Sequence, residues 1–266
     1  DEMSSRGLGD VYKRQPAMCS PSGSTSCSSQ SSYQTVGNNN GTNGQFTYPA
    51  PFGHYYKNAK QQYLFKASEL QAAGFSGGKI TELSWETTAQ NGATSNFYGF
   101  TIRMGCTNQN SINSWQSGLS TVFSPQTVTA SLGWNDFQFT TAYEWDGISN
   151  LIVEVCFNNL NSGAYTFNWS TPYKITPFNS AIYYRSDINS ACSFTGSPTG
   201  VENKRPVTKF KTCPMVPDPS FFTFEWIPPT FLSNVTDQNP FAIPMISTNY
   251  TVIATDINGG CTDTAD

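Results

Sequence analysis

From Phe46 to Lys211 the chain is written in short runs of strand-forming residues, cut by Gly, Asn, Ser and Pro. "QQYLFKA", "KITELSWET", "NFYGFTIRMGC", "LSTVFS", "QTVTASL", "LIVEVCF", "GAYTFNWS", "SAIYYRS" and "RPVTKFK" follow one another in this way. Several alternate between apolar and polar residues, as a strand with one buried face must. Phe100, Ile102 and Met104 share a face, as do Leu151, Val153, Val155 and Phe157. Ile80, Leu83 and Trp85 fall on one face only across a small irregularity. The single helical signal is "SELQAAG", where Ser68 can cap one turn and Gly74 can end it. Many short strands without a long helical pattern predict an all-β sandwich. The span exceeds the roughly 100 residues of a minimal Ig unit. It fits a jelly-roll-like sandwich of about eight or more strands.

Composition narrows the function classes. Charged residues make up 12% of the chain, against about 25% in an average soluble protein. Asn, Ser, Thr, Gln and Gly fill the surface instead, which predicts an extracellular protein. Aromatics at 14% supply apolar area enough to exclude disorder. A net charge of -4 leaves no basic footprint for nucleic acid and no polybasic patch for anionic lipid. No apolar run approaches the roughly 20 residues of a membrane-spanning helix, so direct membrane insertion is not expected.

Five segments are expected. Residues 1–15 include "SSRGLGDVYKRQ", which resembles a translated adapter read-through on metagenomic contigs and implies a fragment. Residues 16–43 read as a Ser/Asn-rich linker. Residues 44–212 form the jelly-roll-like module. Residues 213–219 are a Pro-rich connector. Residues 220–266 read as an incomplete Ig/PKD-like β-domain in which Tyr250, Val252 and Ala254 share a face.

"YPAPFGHYYKNAKQQYLFKASELQAAGFSGGKITELSWE", "FTIRMGCT", "GWNDFQF", "EWDGISNLIVEVCFNN" and "NKRPVTKF" together resemble a module of large secreted Bacteroidetes surface proteins. The tail, with Trp226, Pro228, Leu232, Asn239-Pro240, Tyr250-Thr251-Val252 and Cys261, resembles the Ig/PKD-like repeats of gliding-motility-associated adhesins. The resemblance implies a multidomain cell-surface protein with an adhesive or filamentous role. It carries no catalytic set.

Candidate sites are few. Asp136, Glu144, Asp146 and Glu154 lie in one stretch. A glycosidase pair needs two carboxylates about 5–9.5 Å apart in a cleft. Asp146 instead sits in a WDG turn, where Asp bonds its own backbone, and Glu154 lies on a strand, facing solvent or a polar partner. His54, the sole histidine, has no G-x-S-x-G elbow to serve. Tyr48, Phe52, Tyr55, Tyr56 and Tyr63 form an aromatic cluster that either stacks on sugars or packs over the end of the sandwich. Sequons at Asn40, Asn168, Asn234 and Asn249 follow from Asn/Thr richness. No metal site and no cofactor is predicted; loop oxygens would suit calcium, which is not predicted either.

Seven cysteines without a CxxC pair fit disulfides in an oxidising compartment. The favoured pairs are Cys106–Cys156 and Cys192–Cys213, with Cys19–Cys27 closing a linker loop. Cys213–Cys261 is the rival. The function expected is a non-catalytic adhesion and display module with a glycan or surface-protein ligand. The alternative is a carbohydrate-binding accessory module of a secreted hydrolase or protease.

Overall fold

The computed structural model describes residues 31–159, 166–214, 222–257 and 262–265. The chain divides into two compact units, one ending at Pro214 and one running on from Met215. The expected connector, apart from Cys213 and Pro214, lies outside the described residues, as does residues 1–15.

In the larger unit the strands are β1 (Ser32–Val36), β2 (Asn58–Phe65), β3 (Gly78–Thr87), β4 (Asn96–Thr107), β5 (Ser120–Thr129), β6 (Gly133–Trp145), β7 (Asn150–Asn158), β8 (Tyr173–Ile175), β9 (Ala181–Ser186), β10 (Gly200–Glu202), β11 (Lys204–Pro206) and β12 (Thr208–Pro214). One sheet has the order β1-β12-β3-β6 and the other β10-β9-β2-β7-β4-β5, all antiparallel. Without β9 and β10 the two sheets are β1-β12-β3-β6 and β2-β7-β4-β5. This is the eight-strand jelly-roll order of two Greek keys. β9 and β10 widen the second sheet beyond β2, and β8 and β11 form a separate ribbon.

The inner faces meet in one core. β3 contributes Ile80, Leu83 and Trp85, β6 Phe137 and Trp145, and β12 Phe210. Opposite them stand Tyr63 and Phe65 of β2, Phe100, Ile102 and Met104 of β4, and Leu151, Val153, Val155 and Phe157 of β7. The irregularity anticipated in β3 is a register shift between Ile80 and Glu82, which lets Ile80 and Leu83 face the same way. Phe100 stacks on Phe137 at 5.0 Å and Phe97 meets Phe157 edge-on at 4.9 Å. Such pairs contribute roughly 0.5–1.5 kcal/mol each beyond the area they bury.

Three expectations are corrected. The linker assigned to residues 16–43 contains β1, whose residues pair with β12 from Ser32↔Thr212 to Val36↔Thr208. In β1 only Val36 is buried, so an edge strand held by its ladder carries no apolar pattern to read. The helix α1 (Ala67–Ala72) begins from Lys66, whose N–H donates to Glu69, and Ser68 lies inside it; Gly74 does follow its end with φ +98. The strand expected at "GAYTFNWS" is irregular chain over residues 166–169, tied by backbone hydrogen bonds to His54, Gln45 and Phe52.

The smaller unit holds a three-stranded antiparallel sheet of β13 (Phe222–Ile227), β14 (Thr251–Asp256) and β15 (Thr262–Ala265). Phe224, Val252 and Ala254 form its core, flanked by Phe222 and Trp226. Tyr250 is buried, and its hydroxyl donates to the Thr230 carbonyl at 2.9 Å.

Candidate functional site

Each acid of the stretch has a partner within the fold. Asp146 Oδ1 accepts the N–H groups of Ile148 at 3.0 Å and Ser149 at 2.8 Å, closing the turn into β7. Asp136 pairs with Lys209 at 3.4 Å and Glu144 with Lys79 at 3.8 Å. Glu154 is buried on the outer face of the six-stranded sheet, directly opposite Gln62 of β2 and Arg103 of β4. Gln62 Nε2 donates to Glu154 Oε2 at 2.8 Å, Lys60 Nζ approaches it at 3.4 Å, and Arg103 pairs with Oε1.

This outer face is covered by two loops. Trp115 and Gln116 come from the loop after β4, and Cys192, Phe194 and Gly196 from the loop after β9. The Lys60 ammonium donates to the Phe194 carbonyl at 3.0 Å and lies 4.6 Å from the Trp115 ring centre. Trp115 Nε1 donates to the Gly196 carbonyl at 2.7 Å, joining the loops. A Cys156–Cys192 disulfide pins the second loop to β7. The favoured pairs are therefore both corrected. In the β4–β7 ladder Cys156 faces Thr101 and Cys106 faces Leu151, five residues further along, a separation on the order of 17 Å along the strand. Cys106 instead accepts a hydrogen bond from the Tyr143 hydroxyl at 3.2 Å. Cys192 belongs to Cys156, which leaves Cys213 buried at the end of β12. Cys19, Cys27 and Cys261 lie outside the described residues.

The aromatic cluster separates into core and surface. Phe52 and Tyr63 are 0% exposed, which corrects their assignment to a ligand site. Phe52 turns inward from the β1–β2 loop to meet Phe97 at 5.6 Å and Phe100 at 6.0 Å, closing the end of the core. Tyr63 donates its hydroxyl to Gln61 at 2.7 Å beside Trp85. Tyr48 is buried and stacks on Tyr183 with ring centres 4.6 Å apart. Tyr55 and Tyr56 are half-buried and meet edge-on at 5.2 Å.

A continuous aromatic row results. Phe46 is 50% exposed and Phe167 41%. Phe46 contacts Tyr55 at 4.7 Å and Phe167 at 5.4 Å, both edge-on. Tyr55 leads to Tyr56, and the Arg185 guanidinium lies 4.5 Å from the Tyr56 ring centre. Phe46, Phe167, Tyr183 and Arg185 were not legible as members. They come from three separate segments, and no local pattern unites them.

Rigid polar contacts hold the row. Asn168 is fully buried, so it is no glycosylation acceptor in the folded chain. Its Oδ1 accepts the Tyr55 N–H at 2.9 Å, and its Nδ2 donates to the Thr47 carbonyl at 2.9 Å. A side chain at Gly53 would place its Cβ 2.9 Å from the Ala50 carbonyl and 3.2 Å from Asn168 Oδ1, so glycine is required for that close approach. His54 is buried; its Nδ1 accepts from the Thr166 N–H at 3.2 Å, and the His54 carbonyl accepts the same N–H at 2.9 Å.

Burial lowers the His54 pKa from 6.5 to about 4, against an opposing pull from Asp187. The folded form therefore holds His54 neutral, while the unfolded chain takes up a proton below pH 6.5. Stability is unaffected by this group above pH 6.5, falls as pH drops below it, and stops falling near pH 4. We expect a slope contribution of no more than about 1.4 kcal/mol per pH unit. Urea unfolding of wild type and His54→Gln between pH 7 and 5 reads it as the difference in slope, and parallel curves would remove His54 from the account.

No protein-family model matches this chain, and no curated protein does. Among solved structures, one similarity is to the cysteine protease and lectin-like domains of Cwp84, a surface layer associated protein of Clostridium difficile. It has 11% identity and a TM-score of 0.36, over 59% of this chain and 32% of that one. A second is to the clostridial cysteine protease Cwp84 after propeptide cleavage, with 11% identity and a TM-score of 0.40 over 70% of this chain and 41% of that one. The chain thus corresponds to less than half the length of either structure.

Proposed function

We propose that this chain is a non-catalytic, extracellular binding module that takes saccharides on the aromatic row at the end of the jelly roll. The observation that carries it is the exposure of Phe46 and Phe167 on a frame held by the buried Asn168. Exposed rings on a rigid base offer flat apolar faces to the C–H faces of sugars without an ordering cost at each binding event. The Cys156–Cys192 bridge belongs to an oxidising compartment. Display on a cell surface, as the resemblance to adhesins implies, is part of the proposal.

A glycan array probed with the full chain tests it. Saturable binding to a defined saccharide set is expected, with affinity falling about three- to tenfold on Phe46→Ala or Phe167→Ala, in line with the energies of single aromatic contacts. Binding that survives both substitutions together, or no binding across the array, would overturn the reading.

A further inference from the structure

Arg185 ends the aromatic row, and its surroundings are unusual for a half-buried cation. Its guanidinium lies 4.5 Å from the Tyr56 ring centre and 5.6 Å from those of Tyr48 and Tyr183. Among the described residues the guanidinium makes no hydrogen bond and no ion pair, and it packs against these three rings. The other buried or half-buried arginines are not left so. Arg103 pairs with Glu154, and Arg205 with Glu69 at 2.8 Å. Asp187 stands two residues further along the chain, but its Oδ1 is engaged by the Lys57 N–H at 3.0 Å. The Tyr48 hydroxyl beside this box is buried and has no hydrogen-bond partner.

Three rings surround the guanidinium and leave its N–H donors without a partner among the described residues. A planar fork held in this way matches two oxygens of a carboxylate or a sulfate. Rings and fork belong to one surface, because Tyr56 contacts both Tyr55 of the row and Arg185.

We propose that Arg185 reads an anionic substituent on the bound saccharide, so that the site selects acidic sugars. The inference rests on the saccharide reading above and adds the ligand class to it. The apolar sugar face lies on Phe46, Tyr55 and Phe167, and the carboxylate or sulfate oxygens accept from the Arg185 fork. Tyr48, Tyr56 and Tyr183 act as positioning residues for that fork.

The test uses the full chain and three immobilised probes: neutral galactan oligosaccharides, oligogalacturonate and O-sulfated galactan oligosaccharides. One or both acidic probes should bind at least tenfold more tightly than the neutral one, and which of them does so separates carboxylate from sulfate. Arg185→Gln should remove that preference. Arg185→Lys, which keeps charge but loses the fork, should retain only part of it. Circular dichroism and thermal melting of both variants show whether the fold is kept, and the salt dependence of wild type gives an independent readout. Binding of the acidic probe should weaken steeply between 50 and 500 mM NaCl, since screening lengths shorten across that range. Equal binding of neutral and acidic probes, or an acidic preference unchanged in folded Arg185→Gln, would overturn the inference while leaving the saccharide reading standing. Failure of all three probes would overturn the acidic-sugar inference, and the array above separately decides the saccharide reading.

Discussion

Replacing Glu154 with alanine is expected to destabilise the larger unit by about 3–5 kcal/mol, the range for removing one partner of a buried charge cluster. Among the described residues the carboxylate is the only anion paired with Lys60 and Arg103, whose side chains are 9% and 27% exposed. Arg103 has water available once Glu154 is gone, so its share of the loss is the smaller. Lys60 does not, because Trp115 lies over it and the Phe194 loop holds its ammonium in place. The penalty therefore falls mainly on an uncompensated ammonium beneath a covering loop. Gln62 loses an acceptor as well, although its Oε1 still accepts the Gln116 N–H at 2.8 Å. Glu154→Gln should cost less than Glu154→Ala, since an amide oxygen still accepts hydrogen bonds. Urea unfolding followed by tryptophan fluorescence measures both. A loss below about 1 kcal/mol for Glu154→Ala, typical of an exposed pair, would show that this face is open to solvent.

Removing the Cys156–Cys192 bridge should cost a comparable amount for a different reason. The bridge closes a loop with a sequence separation of 36 residues. Restricting an unfolded loop of that length corresponds to about 4 kcal/mol in the chain-entropy account. The double variant Cys156→Ala/Cys192→Ala should lose most of that in equilibrium unfolding. Its effect on the native state should be local. The loop around Phe194 keeps its hydrogen bonds from Lys60 and Trp115 but is no longer tied to β7. Amide exchange is then expected to rise between residues 187 and 199 and to stay low in the β2–β7 ladder. Stability unchanged within about 1 kcal/mol in the double variant would refute this account.

Legibility in the sequence followed the reach of the interaction involved. The inner faces of β3, β4 and β7 were readable because alternation is written within one strand: Leu151, Val153, Val155 and Phe157 point inward whatever lies opposite. Even the shift in β3 left a trace, since Ile80 and Leu83 are out of phase for a regular strand. β1 was not readable, because its stability comes from a ladder with β12, about 175 residues away in sequence. The disulfide was misassigned for a related reason. Strand-end position places two cysteines near one another only if the register agrees, and the register puts Thr101 opposite Cys156. The aromatic cluster was half readable. Residue type singled out Tyr48, Phe52, Tyr55, Tyr56 and Tyr63, but whether a ring turns in, as Phe52 does, or stays at the surface, as Tyr55 does, depends on a loop anchored by Asn168.

By itself the sequence determined the class of this protein: all-β, with a jelly-roll-like module before a smaller β unit, low in charge and rich in aromatic residues. Those are local properties, set by side-chain period, turn residues and composition, and they hold before any strand finds its partner. Only the tertiary structure decided that Glu154 sits between two cations, that Cys156 meets Cys192, and that Phe46, Phe167 and Arg185 join Tyr55 and Tyr56 in one surface. Each of these joins segments distant in the chain. Their closeness follows from strand order and register, which are settled by the packing of the whole core and are encoded in no single stretch.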